Sequence, residues 1–174
     1  RHRGQLRAPP GTVKHEDHSM SYDVNIDNRP AFRLAAMRHT GSYISIGRSF
    51  EEVSIWGAAQ NAFRPDTQMV AVYWDDPETV PEAELRSDAG MTVPADLNIA
   101  GPVSEMQVPA LRTASIVHVG PYAELGNAYR WLYGTWLPES GEEAGEYPPY
   151  EIYLNDPRST APADLRTWIH MPLV

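Results

Sequence analysis

Cysteine is absent from the 174 residues, which excludes disulfides and thiolate metal sites. No apolar run approaches the roughly twenty residues that span a bilayer, and no apolar signal core follows the basic start. These two lacks read as a soluble chain of the cytoplasm with no membrane contact. Signatures of known chemistry are missing too: there is no G-x-S-x-G, no Walker A, no H-E-x-x-H and no Rossmann glycine fingerprint. Neither a cofactor nor a metal is expected. Positive charge is in deficit, with a formal net charge of −9, which opposes unaided binding to phosphate backbones. The domain itself is therefore expected to bind no nucleic acid. Phe is scarce at three, against nine Tyr and five Trp, so most of the rings combine apolar area with a polar tip.

Residues 1–20 (RHRGQLRAPPGTVKHEDHSM) have no apolar periodicity and read as a linker or tail ahead of one domain over residues 21–174. Arg1, Arg3, Arg7 and Lys14 gather positive charge there against an acidic remainder, which marks a compositional boundary. His15 and His18 bracket Glu16 and Asp17, but a spacing of three in a linker lacks the i, i+4 placement of a zincin site.

An internal repeat decides the architecture. HTGSYISIG (His39 to Gly47) precedes an apolar-periodic run and then VAVYWDDPETVPEAELRSD (Val70 to Asp88). HVGPYAELG (His118 to Gly126) precedes a second such run and then YEIYLNDPRSTAPADLRTW (Tyr150 to Trp168). His39, Gly41, Tyr43 and Gly47 match His118, Gly120, Tyr122 and Gly126 at one constant offset. Tyr73, Asp76, Pro77, Leu85 and Arg86 match Tyr153, Asp156, Pro157, Leu165 and Arg166 at an offset one residue longer. Two halves follow, about 21–95 and 96–174.

Each half reads as β-α-β-β. Phe32 to His39 and Leu111 to His118 alternate as half-buried strands do and stop at a Gly-containing turn. Helices follow with Ile46, Phe50, Val53 and Gly57, and with Leu125, Tyr129, Leu132 and Trp136, at helical spacing. Strands are expected at Met69 to Trp74 and Tyr150 to Leu154, closed by Asp-Pro turns, and near Ala89 to Val93 and Leu165 to Met171. Further strands are expected at Tyr22 to Ile26 and around Ile99 to Val108. The class is α+β: antiparallel sheet, two helices on one face and a central ligand cleft. Ile152 and Leu154 suit the helix side of their strand, which puts Glu151 and Tyr153 together on the open side; in the first half Ala71 and Tyr73 hold those places.

A feature found in both halves is most simply structural, so departures from the repeat single out function. His39 and His118, the Asp-Pro turns, and Arg86 with Arg166 read as structural. Glu151 departs, because Ala71 shows that the same place folds without a charge. Two readings stay open for it: a solvated or arginine-paired strand residue, or a carboxylate under an aromatic opening that selects a cation by charge. Trp168 departs as well, since Asp88 is its counterpart. Candidate ligand-binding residues are Glu151, Tyr153, Trp168, Tyr73, Tyr122 and Trp136. A hydrolytic site would rest on Glu151 and Tyr153.

The segments VAVYWDDPETVPEAELRSDAGMTVP and YEIYLNDPRSTAPADLRTWIHMPL, with HTGSY and HVGPY before their helices, resemble the DNA gyrase inhibitor-like (GyrI-like) family of small-molecule-binding domains. The likeness runs from about Tyr22 to the C-terminus. It implies two fused β-α-β-β modules around a cleft, whose E-x-Y glutamate, here Glu151 beside Tyr153, meets lipophilic and often cationic ligands. It also implies one of three roles: the effector-binding domain of a transcription regulator, a protein that inhibits DNA gyrase by contact, or a hydrolase of cyclopropane-bearing toxins. RHRGQLR resembles the end of an AraC-type helix-turn-helix domain, which favours the first role, with DNA bound through that other domain.

Overall fold

The computed structural model describes residues 21–174. The segment read as a linker, residues 1–20 with His15 and His18, lies outside the described residues. Eight strands form one antiparallel sheet: β1 (Asn25–Arg29), β2 (Phe32–Thr40), β3 (Met69–Tyr73), β4 (Arg86–Thr92), β5 (Ser104–Val108), β6 (Leu111–Val119), β7 (Tyr150–Tyr153) and β8 (Arg166–Pro172). Helix α1 (Gly47–Ala59) lies between β2 and β3. Helix α2 (Leu125–Trp131) follows β6 and continues through a π-helical turn, Leu132–Trp136, and a last α-helical turn, Leu137–Ser140. A π turn holds one residue more than an α turn. The repeat offset lengthens by one residue across this same stretch.

The strand order is β1-β6-β8-β7-β3-β4-β2-β5, so the two halves meet at β3 and β7. Each half lends its opening strand to the other, because β1 pairs with β6 and β5 pairs with β2. At the centre Ala71 lies opposite Glu151 and Val70 opposite Ile152. Since Ala71 and Glu151 are also counterparts in the repeat, a pseudo-two-fold axis passes between them. Both strands before the helices end at glycines with positive φ, Gly41 at 116° and Gly120 at 142°, a conformation that costs a side-chain-bearing residue dearly. The Asp-Pro corners close as expected, with Asp76 accepting from the Glu78 amide at 2.9 Å and Asp156 from the Arg158 amide at 2.8 Å.

Both helices pack on one face, near its two ends. Val53 and Trp56 of α1 cluster with Ala35 and Met91, while Ala128 and Leu132 of the second helix cluster with Ile116 and Ile169. The middle strands β3 and β7 lie between them, with Ile46 and Phe50 clustered with Ala71 and Ala89. Glu151 and Tyr153 sit on this helix-bearing face, where Phe50 of α1 touches the Tyr153 ring and Tyr129 of α2 bonds Glu151. That corrects the expectation of Ile152 and Leu154 toward the helices. Ile152 is apolar for another reason: the opposite face is a core of its own, with Leu34, Val70, Val72 and Tyr150 buried beside it. The links β1–β2 and β5–β6 hold two residues each, too few to cross a flat sheet, so the sheet curls to bring its edges together on that side, where Phe32, Val108 and Leu111 pack into this core. Tyr22 and Val24, expected in a strand, instead pack against the second helix's cluster, and pairing begins at Asn25.

Candidate functional site

A cleft of about 2290 Å³ opens between α1 and α2, floored by β3 and β7. Its size exceeds the roughly 300–1,000 Å³ of an ordinary small-molecule pocket, and its lining is mainly apolar. Glu151 lies at the floor with only 2% of its surface exposed. Strand alternation aims it out of the sheet between the helices, beside its cross-strand neighbours Ala71 and Ile169, both of them fully buried.

Tyrosine hydroxyls satisfy this buried carboxylate. Tyr129 donates to Oε2 at 2.7 Å and Tyr153 to Oε1 at 2.8 Å. Tyr73 stands 3.4 Å from Oε1 and 3.0 Å from the Tyr153 hydroxyl. With Tyr153's proton committed to Glu151, Tyr73 donates at the shorter distance to the Tyr153 oxygen, which gives each phenol proton one acceptor. Burial pushes the Glu151 carboxyl above the usual carboxylate range, and the hydrogen bonds from Tyr129, Tyr153 and Tyr73 pull it back only in part. Burial first, and then the Glu151 charge, hold Tyr73, Tyr129 and Tyr153 well above the ordinary phenol value, so they stay proton donors. Among the described residues no arginine or lysine forms an ion pair with Glu151.

Four of the six residues singled out from the sequence meet here. Glu151, Tyr153 and Tyr73 form the floor, and Tyr122 lies at the cleft with its ring 5.6 Å from Tyr153. The structure does not bring in the other two. Trp168 lies opposite Ile152 on β8 and so points from the far face, where the Arg29 guanidinium sits 4.6 Å over its ring. Alternation along β8 turns it away from the cleft, and its departure from the repeat reflects packing on the other face. Trp136 ends the π turn and packs into the cluster beneath the second helix. Its helical spacing with Leu132 marks a core position.

Tyr129 and Tyr133 are the site residues missed from the sequence. Tyr129 sits at the same spacing as Leu125 and Leu132, so its periodicity looks like core, and Tyr133 stacks on it with rings 6.4 Å apart and 15° between planes. The available signal was the departure from the repeat, because Tyr129 stands where the first half has Phe50. Tyr43, the counterpart of Tyr122, also lines the cleft, with its ring 4.7 Å from Tyr73 and its hydroxyl donating to the Asp75 carbonyl at 2.7 Å.

Comparison with known proteins gives a family consistent with this geometry. Residues 22–174 match the family model described as GyrI-like small molecule binding domain. A DNA gyrase inhibitor of Yersinia enterocolitica (serotype O:8 / biotype 1B) is 30% identical over 148 residues, covering 80% of this chain and 90% of that protein. Among solved structures, the EcmrR C-terminal domain superposes with a TM-score of 0.76 at 19% identity, covering 88% of this chain and 98% of that one. SAV2435 bound to tetraphenylphosphonium superposes with a TM-score of 0.62 at 12% identity, covering 88% and 94%. On the family match across nearly all the described residues, the chain belongs to the GyrI-like small-molecule-binding domains.

Proposed function

We propose that the cleft binds lipophilic cations, with Glu151 selecting the charge, and that the chain senses such molecules as the effector domain of a transcription regulator. The observation that carries the first part is a nearly inaccessible carboxylate whose partners are phenols and not cations. A neighbouring arginine would neutralise it; phenols satisfy its lone pairs and leave its charge for a ligand. The rest of the lining agrees in sign. Seven acidic side chains border the cleft, Glu151 and the more accessible Glu51, Asp75, Asp76, Glu78, Glu146 and Asp156, against two arginines, Arg130 and Arg158. Such an excess concentrates cations at the mouth. The tyrosine faces add cation–π attraction to the contact area they offer. The structural likeness to SAV2435 bound to tetraphenylphosphonium supports the ligand class, and the likeness to EcmrR, also solved as an EcmrR-DNA complex, supports the regulatory role.

The test is a titration of the protein and of Glu151→Gln with a cationic dye and a neutral dye of matched shape. Charge-assisted contacts contribute about 1.5–3 kcal/mol. The substitution should weaken the cationic dye roughly ten- to a hundredfold and leave the neutral one nearly unchanged. Equal loss for both would make Glu151 a steric wall, and no loss for either would move the binding site elsewhere.

A second reading, inhibition of DNA gyrase by protein contact, draws equal support from the name of the Yersinia relative. Supercoiling by gyrase in the presence of the purified chain separates the two: dose-dependent inhibition supports contact with gyrase, and no effect at high excess supports the sensor.

A further inference from the structure

The two walls of the cleft come from counterpart stretches of the repeat, yet their chemistry differs. On the second wall stand Ala123, Tyr129, Tyr133 and Gly134; the same count along the first half gives Ile44, Phe50, Ser54 and Ile55, and all eight line the cleft. One wall is phenolic with small residues between its rings. The other presents large apolar side chains, with Tyr43, Glu51 and Ser54 as its polar groups. Ile44 is 95% exposed and Ile55 70%, and Phe63, 45% exposed, extends the same wall. Folding does not account for Ile44 and Ile55, because at that exposure they bury little, and because Ala123 serves at the counterpart of Ile44. Apolar area held open to water marks a surface that a ligand, a partner or a membrane covers, and its place beside a binding site favours the ligand.

Resting on the reading of Glu151 as a cation-selecting group, we propose that the cleft is built for cationic amphiphiles held in one orientation: the charged head over Glu151 against Tyr129 and Tyr133, and a single alkyl tail along Ile44, Phe50, Ile55 and Phe63. The occupant of the aliphatic wall is then part of the same ligand, since that wall is continuous with the floor through Phe50, which touches Tyr153. A tail lying there is buried on one side only, so each methylene contributes up to the value for full burial. A compact cation of the same charge uses the head site alone.

The experiment compares alkyltrimethylammonium salts of octyl, decyl and dodecyl chain, each below its micellar concentration, with tetraphenylphosphonium. The proteins are the wild type, an Ile44→Ala/Ile55→Ala double variant and Glu151→Gln. In the wild type, affinity should rise about two- to fourfold per methylene, or roughly 15- to 250-fold from octyl to dodecyl. In the double variant the rise should shrink to less than roughly fourfold over the same series, with tetraphenylphosphonium held within about threefold. Glu151→Gln should weaken dodecyltrimethylammonium and tetraphenylphosphonium alike. A flat series in the wild type, with tetraphenylphosphonium still sensitive to Glu151→Gln, overturns the tail groove and leaves the cation site standing. Insensitivity of both ligands to Glu151→Gln overturns both. Uniform loss of every ligand in the double variant would mean that Ile44 and Ile55 hold the helix in place. Binding of the ligand-free protein to phosphatidylcholine vesicles, lost in the double variant, would assign the aliphatic wall to a membrane surface. Either of these results overturns the groove.

Discussion

Replacing Tyr129 with Phe tests whether the phenols set the charge state of the site. The hydroxyl removed is the Glu151 Oε2 partner at 2.7 Å, and Glu151 is 2% exposed, so water does not readily take its place. A hydrogen bond to a charged group contributes about 1.5–3 kcal/mol, against about 0.5–1.5 kcal/mol when both partners are neutral. The loss therefore falls mainly on the ionised carboxylate, and Glu151 should hold its proton roughly tenfold more tightly or more in the variant. The native carboxyl is already raised by burial, so the folded state binds more protons than the unfolded chain in the window above the ordinary carboxylate range. There, stability falls as pH rises. Tyr129→Phe should widen that window upward: its stability deficit is about 1 kcal/mol in acid, where Glu151 is protonated, and grows to about 1.5–3 kcal/mol above the window. Urea unfolding as a function of pH measures the deficit, and a carboxyl-carbon NMR titration of Glu151 measures its protonation directly. A deficit that stays constant with pH, or a Glu151 titration that moves down or not at all, would refute the assignment of the phenols as its charge-stabilising partners.

Two further outcomes follow from the rest of the molecule. His170 is fully buried, with Nδ1 2.9 Å from the Thr113 hydroxyl and its ring stacked on Tyr150, and burial with the nearby Arg29 charge pushes it down to about 3. Its folded-state value lies below the unfolded one, so stability should drop by up to about 1.4 kcal/mol per pH unit from about pH 6.5 toward about 3. An NMR titration with the His170 midpoint above about 5 would contradict this. The isolated chain should not bind duplex DNA at physiological salt, given its net charge of −9; salt-sensitive micromolar binding in a mobility-shift assay would count against it.

Strands and helices were legible because local rules govern them. β2 and β6 alternate apolar and polar residues and stop at glycines, and the structure finds them at Phe32–Thr40 and Leu111–Val119, one residue longer than expected. What local pattern does not encode is which face of a strand meets a helix. Ile152 and Tyr150 are as apolar as helix-facing residues because the curled sheet closes over their side, and it closes because β1 and β5 pair with the opposite half. Period two says that Glu151 and Ile152 part company, not which of them turns toward the helices. The same limit applied to the site. Glu151 stood out because Ala71 breaks the match. Tyr129 replaces one ring by another, Phe50, at a position that also reads as helix core, and a single added hydroxyl was the whole signal.

The site's asymmetry follows from its position on the pseudo-axis. Tyr73 and Tyr153 are counterparts in the repeat, and their hydroxyls meet 3.0 Å apart; a hydroxyl can donate to its own counterpart, so symmetry there is compatible with satisfaction. A carboxylate can only accept. Positions 71 and 151 are counterparts and also direct cross-strand partners, about 4.5–5.5 Å apart at their β-carbons. Two glutamates there would face each other as like charges in a buried place, and one would take a proton, leaving one charge shared between two coupled groups. Breaking the repeat at this one pair of positions gives a single negative charge from one carboxylate, with no shared proton between like groups. Ala71, fully buried and carrying no polar atom in its side chain, is the half of the pair that leaves Glu151 with no second carboxyl to share a proton.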